Sequence, residues 1–173
     1  MFLIVMGIIV IVALFSFILW SLSAYNRLVR LDALAYEGWS GINMQLKRRC
    51  DLIPSLVAVF KQYGVGEGEI LEEVIEIRLY SADAKNMKEK IEAESGLSEA
   101  LKTLFDFAKS YPELSEDENF LSLQKDLGEI EKELQLARGY YNEAAKNYNT
   151  AISKFPSNIV AKFFGFLKKP YLK

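Results

Sequence analysis

At 173 residues and a net charge of −2, the chain fits one domain plus an attachment, and it carries no charge surplus suited to nucleic acid. It has no histidine, which removes the commonest general base and with it catalytic triads, facial-triad iron and His-ligated zinc. The lone cysteine, Cys50, excludes an internal disulfide and multi-cysteine metal sites, and four prolines and ten glycines are too few for a disordered or collagen-like chain.

No side chain from Met1 to Asn26 is charged, and FLIVMGIIVIVALFSFILW is almost wholly apolar. Phe2 to Leu22 supplies 21 residues, where a bilayer core takes ~20. Residues 1–24 therefore read as a transmembrane anchor. The competing reading is a cleaved secretory signal, with Ser21 or Ser23 at the cleavage site. It is disfavoured because no Lys or Arg precedes the run and the run outlasts an h-region. Arg27 and Arg30 follow the span, with Lys47, Arg48 and Arg49 beyond them. By the positive-inside rule this predicts a single-pass protein of the cell (inner) membrane, N-terminus outside and residues 25–173 cytoplasmic.

Past the span, Leu28, Leu31, Ala35, Trp39, Ile42, Leu46, Cys50, Ile53, Val57 and Phe60 step by three or four, one helical stripe continuous with the anchor. Pro54 should kink this helix rather than restart it, because Ile53 is a poor cap. The helix should end near Gly64-Val65-Gly66. A second helix is expected from the acidic stretch Glu67–Glu73, with Ile70, Val74 and Ile77 inward, and a break near Ser81-Ala82-Asp83. A third runs through Met87, Ile91, Leu97, Leu101, Leu104 and Ala108 and stops before Pro112, which disfavours the α region for Tyr111. A fourth, from about Glu116 to Ser153, carries nearly unbroken heptads from Phe120 to Phe155. The expected fold is all-α: an N-terminal transmembrane helix followed by an antiparallel four-helix bundle with long coiled-coil-like helices, residues 25–156, and an aromatic and basic tail, residues 157–173.

The order YNRLVRLD…GWSGINMQLKRRCDLIPSLV, then YPEL…NFLSLQKDLGEIEKELQLARGYYNEAAKNYNTAISKFPSNIVA, resembles the LemA family over essentially the whole chain. QLKRR-x-DLIP, AR-x-YYN, NYN-x-x-I-x-x-FP and the Phe-Gly-Phe of the tail carry the resemblance together. Cys50, where an aromatic is commoner, and the glycine-rich turn depart from it. The resemblance implies a prokaryotic membrane protein with a short anchor and a four-helix cytoplasmic bundle. It supplies no catalytic or cofactor residues.

Lys47, Arg48 and Arg49 diverge on a helical wheel: Arg48 points away from the stripe, Lys47 sits at its border and Arg49 leans inward. Consecutive cations on one helix cannot converge on a phosphate. Arg49 is expected to pair with Glu131 or Asp126 across the bundle, because an unpaired buried charge is costly, while Lys47 and Arg48 are the partner-facing candidates. The pairs Tyr25-Asn26, Tyr141-Asn142 and Tyr148-Asn149 read as a helix-packing polar strip, with tyrosines on the core seam and asparagines cross-linking helices. Glu69, Glu72, Glu73 and Glu76 read as a solvated face. In the tail, Phe163, Phe164, Phe166, Lys168 and Lys169 either dip into the membrane interface or pack across the bundle end. No metal, cofactor, nucleic acid or catalytic site is expected. The predicted role is a membrane-anchored, non-enzymatic scaffold for a protein partner, and the alternative is a bundle that acts on the bilayer through its tail.

Overall fold

The computed structural model describes residues 1–64 and 69–172. The chain is all-helical, with no strand among the described residues. Among the described residues six helices follow in order: α1 Phe2–Gln62, α2 Glu69–Asp83, α3 Met87–Ala108, α4 Pro112–Ser115, α5 Glu118–Ser153 and α6 Ser157–Phe163. Two compact units divide them: a terminal unit of Met1–Gly41 with Ala137–Lys173, and a central unit of Ile42–Leu136.

The first part of α1 is long and apolar enough to cross a membrane, and every residue from Met1 to Leu19 is exposed. That exposure makes it unlike a core helix, which would bury the same side chains. The helix continues through Pro54. It ends at Gln62, and the turn that follows reaches Gly64, whose φ of 70° lies in the left-handed region that glycine enters without penalty. Val65, Gly66 and Glu67 of the expected turn and helix start lie outside the described residues.

The central core gathers Ile53, Leu56 and Phe60 of α1, Leu71 and Val74 of α2, Leu97, Leu101 and Leu104 of α3, and Phe120 and Leu127 of α5. Leu71 rather than Ile70 is the deep residue at the head of α2. The break between α2 and α3 falls at Ala84–Asn86, later than expected, because the stronger cap is Asn86. Its side chain accepts from Glu89 N at 3.0 Å while Glu89 Oε2 accepts from Lys85 N at 2.8 Å, a reciprocal capping arrangement that Ser81 and Asp83 do not make. At the start of α5, Asp117 Oδ1 accepts from Phe120 N at 2.8 Å.

In the terminal unit, Leu28 of α1 packs with Tyr148, Ala151 and Ile152 of α5 and with Val160 and Ala161 of α6. Gly38 lies where an added Cβ would stand 2.9 Å from Tyr141 Cα, so the absence of a side chain permits the close approach of α1 and α5. Phe155, the last residue of the expected α5 stripe, is 80% exposed, since the helix has already ended at Ser153. Gly165 at φ 72° closes α6, with Phe166 N donating to Ala161 O at 2.9 Å, and releases residues 166–172 without helical structure.

Candidate functional site

The basic triple divides on the surface of α1. Lys47 and Arg48 are exposed and Arg49 is buried. Arg48 donates to Gln45 Oε1 at 3.3 Å and lines an open hollow of about 480 Å³ beside Asp126, Glu129 and Glu133. Arg49 Nη1 stands 3.4 Å from Glu131 Oε2 and 3.6 Å from Glu94 Oε1, and donates to Ser98 Oγ at 2.9 Å. Glu94 is as deeply buried as Arg49. Sequence periodicity alone does not single it out. Its signal was a carboxylate at an i+3 position between Ile91 and Leu97 in an apolar stripe, where only a paired charge can be held.

The asparagines of α5 do different work from the helix cross-links expected of them. Asn149 Nδ2 donates to Lys169 O at 2.8 Å while its Oδ1 accepts from Lys169 N at 2.9 Å. Asn142 repeats the pattern with Leu172, at 2.8 Å in both directions. Two turns of helix separate the amides by about 10.5 Å, and three extended residues span nearly the same length. The seven-residue spacing on α5 thus matches the three-residue spacing in the tail. Tyr141 adds a hydrogen bond to Pro170 O at 2.9 Å. Asn26, by contrast, is exposed and lies off this strip, while Tyr25 stacks near Phe164 and Phe166 at 4.6 and 5.8 Å.

The tail residues separate accordingly. Lys169 is partly buried, 2.8 Å from Asp32 Oδ1 and 5.2 Å above the Tyr148 ring, so its charge is spent within the protein. Phe166 packs against the terminal core. Phe163 is 83% exposed and Leu167 80%, and Phe164 and Lys168 are also exposed. The membrane-facing candidates therefore reduce to Phe163, Phe164 and Lys168, joined by Leu167.

Burial raises the phenols of Tyr141 and Tyr148 above their ordinary range. Tyr63 donates to Asp117 Oδ2 at 2.8 Å, which raises the Tyr63 phenol. The Asp117 carboxylate is held below its ordinary range, first by the Phe120 N–H and then by Tyr63. Glu69, Glu72, Glu73 and Glu76 are exposed along α2.

These features define a helical protein with one helix long and apolar enough to cross a membrane and an extended C-terminal strap clamped by α5. The chain belongs to the LemA family, whose pattern matches residues 38–173. It is 24% identical over 184 residues to magnetosome protein MamQ 2 of Paramagnetospirillum magneticum, across 91% of this chain and 68% of that protein. It is also 23% identical over 187 residues to magnetosome protein MamQ of Magnetospirillum gryphiswaldense, across 93% and 69%.

Proposed function

We propose that the protein is a single-pass, non-enzymatic membrane anchor for an antiparallel four-helix bundle that presents a cytoplasmic surface to a protein partner. The observation that carries this reading is the division of the basic triple: Arg49 is consumed inside, while Lys47 and Arg48 remain exposed with Met44 on the same stretch of α1. Exposed cations beside an apolar side chain suit electrostatic steering and docking of a protein. The bundle is supported by mirrored pairs in the central unit. Arg49 meets Glu131 and Phe60 meets Phe120, so eleven residues forward on α1 match eleven back on α5. The orientation rests on Arg27 and Arg30 following the span with no Lys or Arg before it.

Proximity labelling from a C-terminal fusion in living cells tests the reading. Reproducible protein neighbours that disappear in a Lys47→Glu/Arg48→Glu variant are expected. A neighbour set indifferent to those charges overturns the docking surface, and labelling of external rather than cytoplasmic proteins overturns the orientation. A second reading, direct action on the bilayer, is favoured by the exposure of Phe163 and Leu167 beside Lys168. Serine at Phe163, Phe164 and Leu167 then weakens the protein's effect on added liposomes, and an unchanged effect discards it.

A further inference from the structure

Pro54 has no N–H, so the carbonyl of Cys50, four residues back, has no helical donor. Arg78 of α2 supplies one: its Nε donates to Cys50 O at 3.0 Å. The Cys50 thiol itself donates to Ser81 Oγ at 3.5 Å. From α3, Lys90 Nζ donates to Asn43 Oδ1 at 2.9 Å. Arg78, Lys90 and the exposed Lys47 line one open hollow of about 410 Å³, with Asp51 as the acid of the lining.

Three cations facing one carboxylate leave this hollow positive. Arg78 and Lys90 each donate to a neutral oxygen, a carbonyl and an amide, which sets their positions without spending these donors on a carboxylate. A guanidinium has five donors, and only the Nε of Arg78 is taken by Cys50 O. Lys47, Arg48 and Arg49 fail to make a grip because they diverge from one helix; here the cations arrive from three helices. An acidic peptide would spread its charges along ~3.3 Å per residue, whereas these cations line one concavity of the size that takes a small ligand.

We propose that the hollow binds a small, multiply charged anion of the phosphate type, such as a phosphorylated metabolite. Lys47, Arg78 and Lys90 neutralise it through charge-assisted hydrogen bonds, and Ser81 and Asn43 add polar contacts. This site shares Lys47 with the docking surface but is built with Arg78 and Lys90, and it does not depend on a protein partner.

Cys50 is the chain's one thiol and lies in the lining, so it reports on the site. Full-length protein in micelles of uncharged detergent is alkylated in parallel with iodoacetate and iodoacetamide. Both reagents consume the same thiolate, so their rate ratio reads the local potential independently of the thiol's acidity. The ratio should favour the anionic reagent several-fold relative to free cysteine, and pyrophosphate should slow both reactions saturably. Lys47→Gln, an exposed change, and Lys90→Gln should each weaken that protection several-fold while circular dichroism shows unchanged helicity. If the half-buried thiol reacts with neither reagent, equilibrium dialysis of labelled pyrophosphate against wild type and Lys47→Gln reads the same contrast. Protection no better than that of sodium chloride at equal ionic strength overturns the proposal. Stronger protection by an aspartate-rich peptide reassigns the hollow to a protein partner, and protection only by vesicles containing phosphatidic acid reassigns it to a lipid headgroup; either result overturns it too.

Discussion

In the central unit a buried guanidinium is held between two carboxylates; in the terminal unit two neutral amides hold a length of main chain. The two arrangements place opposite demands on the chain. Arg49 and Glu94 are charges withdrawn from water, so each is tolerable only while the other is present. Asn142 and Asn149 read backbone groups, so the strap can change most of its side chains without losing its hold. The charged tie fixes which helices meet, while the amide clamp fixes only where an extended segment lies.

Removing the guanidinium is the sharpest way to separate them. Arg49→Ala removes the guanidinium that faces the buried Glu94 carboxylate and should cost about 3–5 kcal/mol, read as a lower urea midpoint for the detergent-solubilised chain. Arg49→Met with Glu94→Leu and Glu131→Gln should recover part of that loss, because the apolar pair needs no partner and no carboxylate is left facing the missing guanidinium. A combined variant no more stable than Arg49→Ala would show that the loss was packing rather than stranded charge.

Backbone approach in the terminal unit gives the next largest effect. Gly38→Ala drives a methyl against the Tyr141 backbone at 2.9 Å and the Tyr140 ring at 3.0 Å. It should cost about 1–3 kcal/mol. Gly41→Ala meets nothing within 4 Å, and should stabilise by about 0.5–1 kcal/mol because alanine restrains the unfolded chain and favours helix. Opposite signs three residues apart would localise the constraint. Equal signs would break it.

The clamp itself should respond locally. Asn149→Ala and Asn142→Ala should each ease strap opening by about 1 kcal/mol, seen as faster amide exchange at Lys169 and Leu172 respectively. The global unfolding midpoint should move little. If either change lowers that midpoint as much as Arg49→Ala, the strap is part of the cooperative core and the contrast between the two ties fails.

How far these features could be read beforehand follows their range along the chain. The stripe of α1, its stop at Gly64 and the inward lean of Arg49 are local periodicity, and the wheel displays them. Glu94 stands in the sequence too, as a carboxylate inside the α3 stripe, but periodicity within one helix does not say which other helix supplies its partner. The break falls at Ala84–Asn86 rather than at Ser81-Ala82-Asp83 because the Asn86-x-x-Glu89 pair caps reciprocally, whereas Ser81 and Asp83 are cap-type residues by composition alone. The clamp was the least legible. The seven-residue spacing of Asn142 and Asn149 stands in the sequence, yet their partners are backbone groups 20 and 30 residues away, and no side chain marks a backbone acceptor. Arg78 is intermediate: Pro54 announces an orphaned carbonyl at Cys50 without saying which donor will reach it.

The smallest expected effect sharpens the comparison through pH. Tyr63 and Asp117 form a charge-assisted pair, whereas the buried phenols of Tyr141 and Tyr148 are raised first by burial. Asp117 is depressed, so its contribution is complete above the ordinary carboxylate value of ~3.9 and is lost as pH falls through its lower folded value. Tyr63 is raised, so its contribution is complete below the ordinary phenol value of ~10 and is lost as pH rises through its higher folded value. Asp117→Asn keeps an oxygen for the Phe120 N–H but removes the charge that holds the Tyr63 proton. Ring-carbon NMR titration should then show Tyr63 returning toward the ordinary phenol range while Tyr141 and Tyr148 stay raised. Thermal midpoints should lose part of their acid-side slope. If Tyr63 does not move, its shift comes from burial, and the two units share one cause where we assign two.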